Sequence, residues 1–146
     1  MTTDTTFTPQ VLGETEKALN AILYRQLDGV GLTEHQWIAL RLTVTAGGAL
    51  PREQLVGRLA GALKVGAAVA DARVEELVVS GLLQASGAER DVAVTPAGTG
   101  VHARVRGAVS EITRRLWGDL PAEDLDATGR TLAVILERAN AHFATA

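Results

Sequence analysis

The sequence predicts a mainly α protein with a small β-hairpin wing: a winged helix-turn-helix head flanked by helices that pair two chains. Three observations carry this expectation. A capping box, Thr33-Glu34-His35-Gln36, opens a run of short helices. The stretch Lys64–Leu77 leads through Ser80-Gly81 straight into two short β-prone segments. Long amphipathic segments on either side, 8–30 and 96–146, carry more apolar surface than a small head can cover.

At 146 residues the chain reads as one domain, 1–146, with the head at 32–95 and dimerisation helices at 8–30 and 96–146. Apolar residues make up 47% and charged residues 21%, the balance of a globular protein with a sizeable core. There is no cysteine, which removes disulfides and thiolate metal sites. No apolar run approaches the roughly 18 residues that span a bilayer. The start Met1-Thr2-Thr3-Asp4-Thr5-Thr6 lacks a signal-peptide pattern, so a cytoplasmic location and no membrane partner are expected. Net charge is −3, which argues mildly against nucleic acid, although the local patch matters more than the total. Twelve of the fourteen basic residues are arginines, the better type for bidentate phosphate or guanine contacts.

Thr8-Pro9 begins the first helix, with Thr as N-cap and Pro in the first turn. Val11, Leu12, Ala18, Leu19, Ile22, Leu23 and Leu27 recur along it at helical spacing, and it ends near Asp28-Gly29. Thr33 caps the second helix, with Gln36 closing the box and Leu32 and Trp37 placed as a hydrophobic staple. Its apolar residues lie on more than one side, so it should be buried between other elements before stopping at Gly47-Gly48. Pro51 opens a third helix with Leu55, Leu59, Ala62 and Leu63; a break near Lys64–Gly66 leads to a fourth, whose inward stripe is Ala70, Val74, Leu77 and Val78. Residues 82–86 and 92–95 are the two strands of a hairpin turning through Gly87-Ala88-Glu89-Arg90-Asp91. Thr95-Pro96 starts a fifth helix of roughly 30 Å that ends near Gly118. Pro121 starts the sixth, with Leu125, Leu132, Ile135, Leu136, Ala139 and Phe143 on one face. The spare apolar faces of the first, fifth and sixth helices imply a second copy, most simply a two-fold homodimer.

This order of elements and five local words together resemble the MarR family of winged-helix transcriptional regulators. The words are Leu32-Thr33-x-x-Gln36-Trp37-x-x-Leu40, Leu50-x-x-x-x-Leu55, Glu76-Leu77-x-x-x-Gly81-Leu82-Leu83, Val92-x-Val94-Thr95-x-x-Gly98 and Leu120-x-x-Glu123-Asp124. The resemblance implies a homodimer whose two heads read the halves of a pseudo-palindrome in double-stranded DNA. It also implies that a small, often aromatic or phenolic, effector releases the DNA. The chain departs from the family pattern in five places, one being Pro51 where members often carry a Ser or Thr cap to the third helix. The spacing from Leu55 to Leu77 is about one helical turn longer, and the wing is several residues shorter. The family's Asp-x-Arg wing motif is not in register. Ala67, Ala68, Val69, Asp71 and Ala72 stand where members carry Ser, Thr and Arg.

Candidate DNA contacts are Arg52 and Arg58 on the third helix, Lys64, Ala68 and Arg73 at the recognition helix, and Arg90 at the wing tip. Asp71 and Glu75 on the exposed arc would repel phosphate unless they accept from cytosine N4 or pair with an arginine. Candidate effector contacts are Tyr24, His35, Trp37, Arg41, His102 and Arg106, an aromatic wall with cationic groups that suits an aromatic acid or phenolate. The three histidines are scattered without neighbouring acids, so no metal is expected, and no motif implies a cofactor or catalysis. The expected function is that of a ligand-responsive, DNA-binding repressor, not an enzyme. The rival is a MarR-like dimer with lost or weakened DNA reading that binds a small molecule or a partner, with a repurposed enzyme as a lesser variant of it.

Overall fold

Thr8, extended at φ −140°, accepts the Val11 amide on its hydroxyl at 3.1 Å and starts helix α1, Pro9–Asp28. The computed structural model describes residues 6–85 and 90–145. Helix α2, Glu34–Thr45, opens on the expected capping box. The Gln36 amide donates to the Thr33 hydroxyl at 3.2 Å, and the Thr33 amide donates to Gln36 Oε1 at 3.0 Å. Thr33→Ala removes half of this reciprocal pair and should cost about 1 kcal/mol, seen as a lower midpoint in urea unfolding with an unchanged slope. An unchanged midpoint would show that the box contributes nothing.

The two staple residues, Leu32 and Trp37, are both buried in one apolar cluster. Helix α2 is the centre of that cluster. Trp37, Ala39, Leu40 and Thr43 are buried on different sides of it, as expected for a helix enclosed by neighbours. Leu55 and Leu59 reach it from helix α3, Arg52–Leu63, and Ala70, Val74 and Leu77 from helix α4, Ala67–Val79. Val78 is half-buried against the same core. Between α3 and α4 the chain turns at Lys64, whose backbone is left-handed at φ 59° and whose amide caps α3 by donating to Ala60 O. The break expected near Lys64–Gly66 is thus a true turn.

Three strands complete the head: β1, Ala49–Pro51; β2, Leu83–Ala85; and β3, Asp91–Val94. They form one antiparallel sheet in the order β1-β3-β2, with Leu50 opposite Val92 and Ala85 also opposite Val92 on the other side. The sequence predicts the hairpin but not β1. A three-residue strand with one buried side chain, ending in proline, leaves no alternating pattern to read. It forms because Gly47 and Gly48, both at φ 98°, fold the chain back so that Val94 N donates to Gly48 O at 2.8 Å. Pro51 accordingly ends β1 and precedes α3 as its N-cap, without a side-chain cap. The hairpin turn at Gly87–Glu89 lies outside the described residues.

Helix α5, Pro96–Trp117, starts at Thr95, which accepts the Gly98 amide at 3.0 Å and donates its own hydroxyl to Gly81 O at 2.6 Å. One hydroxyl therefore joins the helix start to the end of α4. Residues up to Val109 form one compact unit; residues from Ser110 form a second, holding the last turns of α5 and helix α6, Ala122–Thr145. Within this second unit the chain turns at Gly118–Pro121, with Leu120 N donating to Trp117 O at 3.1 Å. No residue of α6 is buried: Leu125, Leu132 and Ile135 are half-covered, and Leu136 and Phe143 are 61% and 62% exposed.

Candidate nucleic-acid interface and small-molecule site

Helix α4 packs Ala70, Val74 and Leu77 inward, which turns Ala68, Val69, Ala72 and Val79 outward, all of them exposed. Its two acids on one flank do not stand alone. Arg52, at the first turn of α3, donates from Nε to Asp71 Oδ1 at 3.0 Å and from Nη2 to Glu75 Oε2 at 3.3 Å. Asp71 and Glu75 sit one turn apart on α4, so a single guanidinium can span both. The hydrogen bond to Asp71 above all, with help from Glu75, holds the Arg52 guanidinium above its ordinary pKa against the opposing effect of burial. The two acids on the exposed arc of α4 are thus paired with an arginine, one of the two arrangements under which the sequence tolerates them there.

On the other flank Arg73 Nη1 pairs with Glu76 Oε2 at 3.3 Å, and Glu76 Oε1 accepts Gln36 Nε2 from α2 at 2.9 Å. Arg73 therefore belongs to a bridge back to the α2 capping box, and its Nε is buried without a hydrogen-bond partner. Lys64 donates from Nζ to Gly61 O at 2.7 Å across the α3 C-terminus. Arg58 is exposed on α3 and Arg90 just before β3. Neither side chain has an ion pair among the described residues. Arg52 and Arg90 both line a shallow groove of about 530 Å³ that also takes in Val56, Ala67, Ala68 and Asp71. Of the six candidate DNA residues, Arg52, Ala68 and Arg90 come together at this groove; Arg58, Lys64 and Arg73 do not line it. The α3–α4 ion pairs and the Gln36–Glu76 bond were not anticipated residue by residue. The signal for the first was the i, i+4 spacing of Asp71 and Glu75; nothing local signals the second, which joins positions 40 apart.

The candidate effector residues divide in the same way. Trp37 and His102 stack, with ring centroids 5.3 Å apart and planes 19° apart, and both are buried. Arg41, one turn along α2 from Trp37, and Arg106, one turn along α5 from His102, are exposed. Burial first, then the positive charges of Arg106 and Arg41, push the His102 pKa below the ordinary imidazole value. Tyr24 is elsewhere engaged. Its hydroxyl donates to Glu34 Oε2 at 2.5 Å, and that bond to a carboxylate is the main reason its pKa lies above the ordinary phenol value. His35 lies roughly 200° around α2 from Trp37 and is half-buried. Among the described residues no group of three or more His, Asp and Glu could hold a metal ion, and no helix is long and apolar enough to cross a membrane.

A helix-turn-helix backed by a three-stranded sheet, with a long helix after the last strand, defines a winged-helix fold. A MarR family transcriptional regulator from Silicibacter pomeroyi superimposes with a TM-score of 0.74 at 22% identity, over 92% of this chain and 90% of that one. A MarR protein from Peptoclostridium difficile gives 0.73 at 14% identity, over 97% and 94%. NadR in complex with 4-hydroxyphenylacetate gives 0.72 at 18% identity, over 89% and 95%. The chain has the MarR-type winged-helix fold. Neither a protein-family model nor a curated protein matches it.

Proposed function

We propose that the protein is a ligand-responsive transcriptional regulator of the MarR type, a cytoplasmic homodimer that binds a pseudo-palindromic operator as a repressor. The observation that carries this reading is the placement of α4. It is held on the surface by α2, α3 and the sheet, with its outward face exposed, in a fold shared with MarR-type regulators over about nine tenths of the chain. On this reading residues 1–146 work as one module. Segments 8–30 and 96–146 pair two copies, and the α6 face with Leu136 and Phe143 exposed supports such pairing. Two heads spaced about 34 Å apart would enter successive major grooves. An effector that favours another spacing would lower DNA affinity by its difference in affinity for the two dimer forms.

Arg58 and Arg90 serve as phosphate contacts, since both are exposed and unpaired among the described residues. A titration of the full chain against DNA from its own upstream region, at several salt concentrations, tests the reading. A specific complex is expected, with a steep salt dependence. Arg90→Ala should weaken it roughly fivefold at physiological salt and lower the salt slope by about one. Absence of any preference over random DNA at every salt concentration would sink the regulator.

A second reading has its own support. Arg52, Lys64 and Arg73 all make contacts within the chain, and the outward face of α4 presents Ala68, Val69, Ala72 and Val79. A MarR-like dimer that has lost DNA reading and binds a small molecule or a partner would look the same. It would show no specific complex in the titration above.

A further inference from the structure

The outward face of α4 is poor in donors and rich in methyl groups. Ala68 and Ala72 lie one turn apart near its start, exposed and opposite the buried stripe of Ala70, Val74 and Leu77. Ala67 and Val69 extend the apolar surface around the first turn. The polar side chains beside them are engaged within the chain. Arg52 holds Asp71 at 3.0 Å and Glu75 at 3.3 Å. Arg73 lies on the other flank, where it pairs with Glu76 and buries its Nε. It is the one basic residue of α4, which has no asparagine or glutamine. Those are the residue types that read guanine and adenine through paired hydrogen bonds. The helix presents methyl groups instead, and of the four standard bases only thymine carries a methyl in the major groove.

We propose that Ala68 and Ala72 select thymine, through contact of their methyl groups with thymine C5-methyls in the major groove. The inference rests on the DNA-binding half of the function above and names the base that this helix selects. Cβ atoms four residues apart on a helix are about 6 Å from each other, and successive bases along a strand rise about 3.4 Å. The two alanines thus reach methyls within about three consecutive base pairs of one half-site. The surroundings fit DNA better than a protein partner. Ala68 shares its groove with Arg90, which is exposed and has no ion pair among the described residues. A cation able to meet phosphate therefore stands beside the methyl that would meet the base. Protein interfaces instead draw most of their binding energy from buried aromatic and arginine side chains, and are depleted in alanine.

The size of the effect follows from the area involved. Withdrawing one methyl group from water strengthens binding by about fourfold. A two-fold dimer makes each contact twice, so removing one thymine methyl from both half-sites should weaken the complex roughly tenfold. Phosphate contacts are untouched by that change, and the dependence on salt should stay the same.

Selection of preferred sites from a random duplex library by the full chain begins the test. Thymines should emerge at symmetry-related positions in the two halves. Each is then replaced in both halves by deoxyuridine, which keeps every hydrogen-bonding group and lacks only the methyl. Affinity should fall roughly tenfold at each position that α4 reads. Changing such a T·A pair to C·G should cost at least as much, and 5-methylcytosine in place of that cytosine should recover several-fold. Its methyl occupies the place of the thymine methyl. On the protein side, Ala68→Ser and Ala72→Ser keep the side chain small, and circular dichroism checks that each variant folds. Each should lower the thymine-to-uracil ratio at one position and leave the ratio at the other position intact. Equal binding to thymine and uracil sites would overturn the methyl contact and leave the regulator standing. Unchanged ratios in both serine variants would remove the contact from these two alanines. A library that yields no preferred site at any salt concentration would overturn the regulator and this inference together, and leave the alanine face to a partner other than DNA.

Discussion

Gly98→Ala should lower stability by about 3 kcal/mol or more, and the melting temperature by roughly 6–12 °C. Gly98 is buried in the first turn of α5. A methyl group there would overlap the Leu82 carbonyl oxygen and stand 3.1 Å from its carbon and 2.8 Å from Val94 Cγ2. The backbone atoms cannot rotate away as a side chain could. That same Leu82 oxygen accepts both the Thr95 amide and the Thr95 hydroxyl, each at 3.1 Å. Any shift that admits a methyl must therefore stretch the junction of α4, β2, β3 and α5. Gly100 is the control. Nothing lies within 4 Å of where its methyl would go, so Gly100→Ala should instead gain about 0.5–1 kcal/mol from helix propensity. Two thermal melts decide the matter, and equal stability of Gly98→Ala and wild type would refute the close-approach account.

Gly98 also marks where the sequence was legible and where it was not. As a letter in the word Val92-x-Val94-Thr95-x-x-Gly98 it supported a family resemblance, but no local pattern says that a carbonyl from residue 82 lies against it. The same division holds through the fold. Caps and periodicity are local, so the Thr33 box, the Thr95 cap and the inward stripe of α4 could be read directly, whereas the sequence left open whether Lys64–Gly66 is a turn or continues the helix. Strand β1 could not be read, because its pairing with β3 joins positions 40 to 44 residues apart and its own three residues carry no signal. For the candidate site, residue types were readable and partners were not. Trp37 and His102 were named together and do stack, whereas Tyr24 was named with them and is held by Glu34. Arg52 and Arg73 were chosen as cations available to DNA. The carboxylate partners of Arg52 are supplied only by the packing of α3 on α4, whereas Arg73 pairs with Glu76 three residues on in its own helix, a local pair that the sequence also offers.

Arg52→Ala should weaken specific DNA binding on the order of thirtyfold while changing stability by less than about 1 kcal/mol. The small stability effect follows from exposure. The Arg52 side chain is 30% exposed and its partners Asp71 and Glu75 are 53% and 54% exposed, so water screens both pairs. The large binding effect follows from where those carboxylates sit. They lie beside Ala68 and Ala72 on the flank of α4 that the proposed mode brings to the major groove, and without Arg52 two negative charges face the phosphates unbalanced. Like charges brought together at an interface cost several kcal/mol, and a loss of about 2 kcal/mol corresponds to the stated factor. Two roles for Arg52 predict the same single-variant result, so the combined variant separates them. If Arg52 acts by screening, adding Asp71→Asn and Glu75→Gln to Arg52→Ala should restore most of the affinity. If Arg52 grips phosphate directly, the triple variant should stay weak and its salt slope should remain about one lower than that of the wild type. Undiminished affinity of Arg52→Ala would eliminate both roles and place the DNA-facing charge on Arg58 and Arg90 alone.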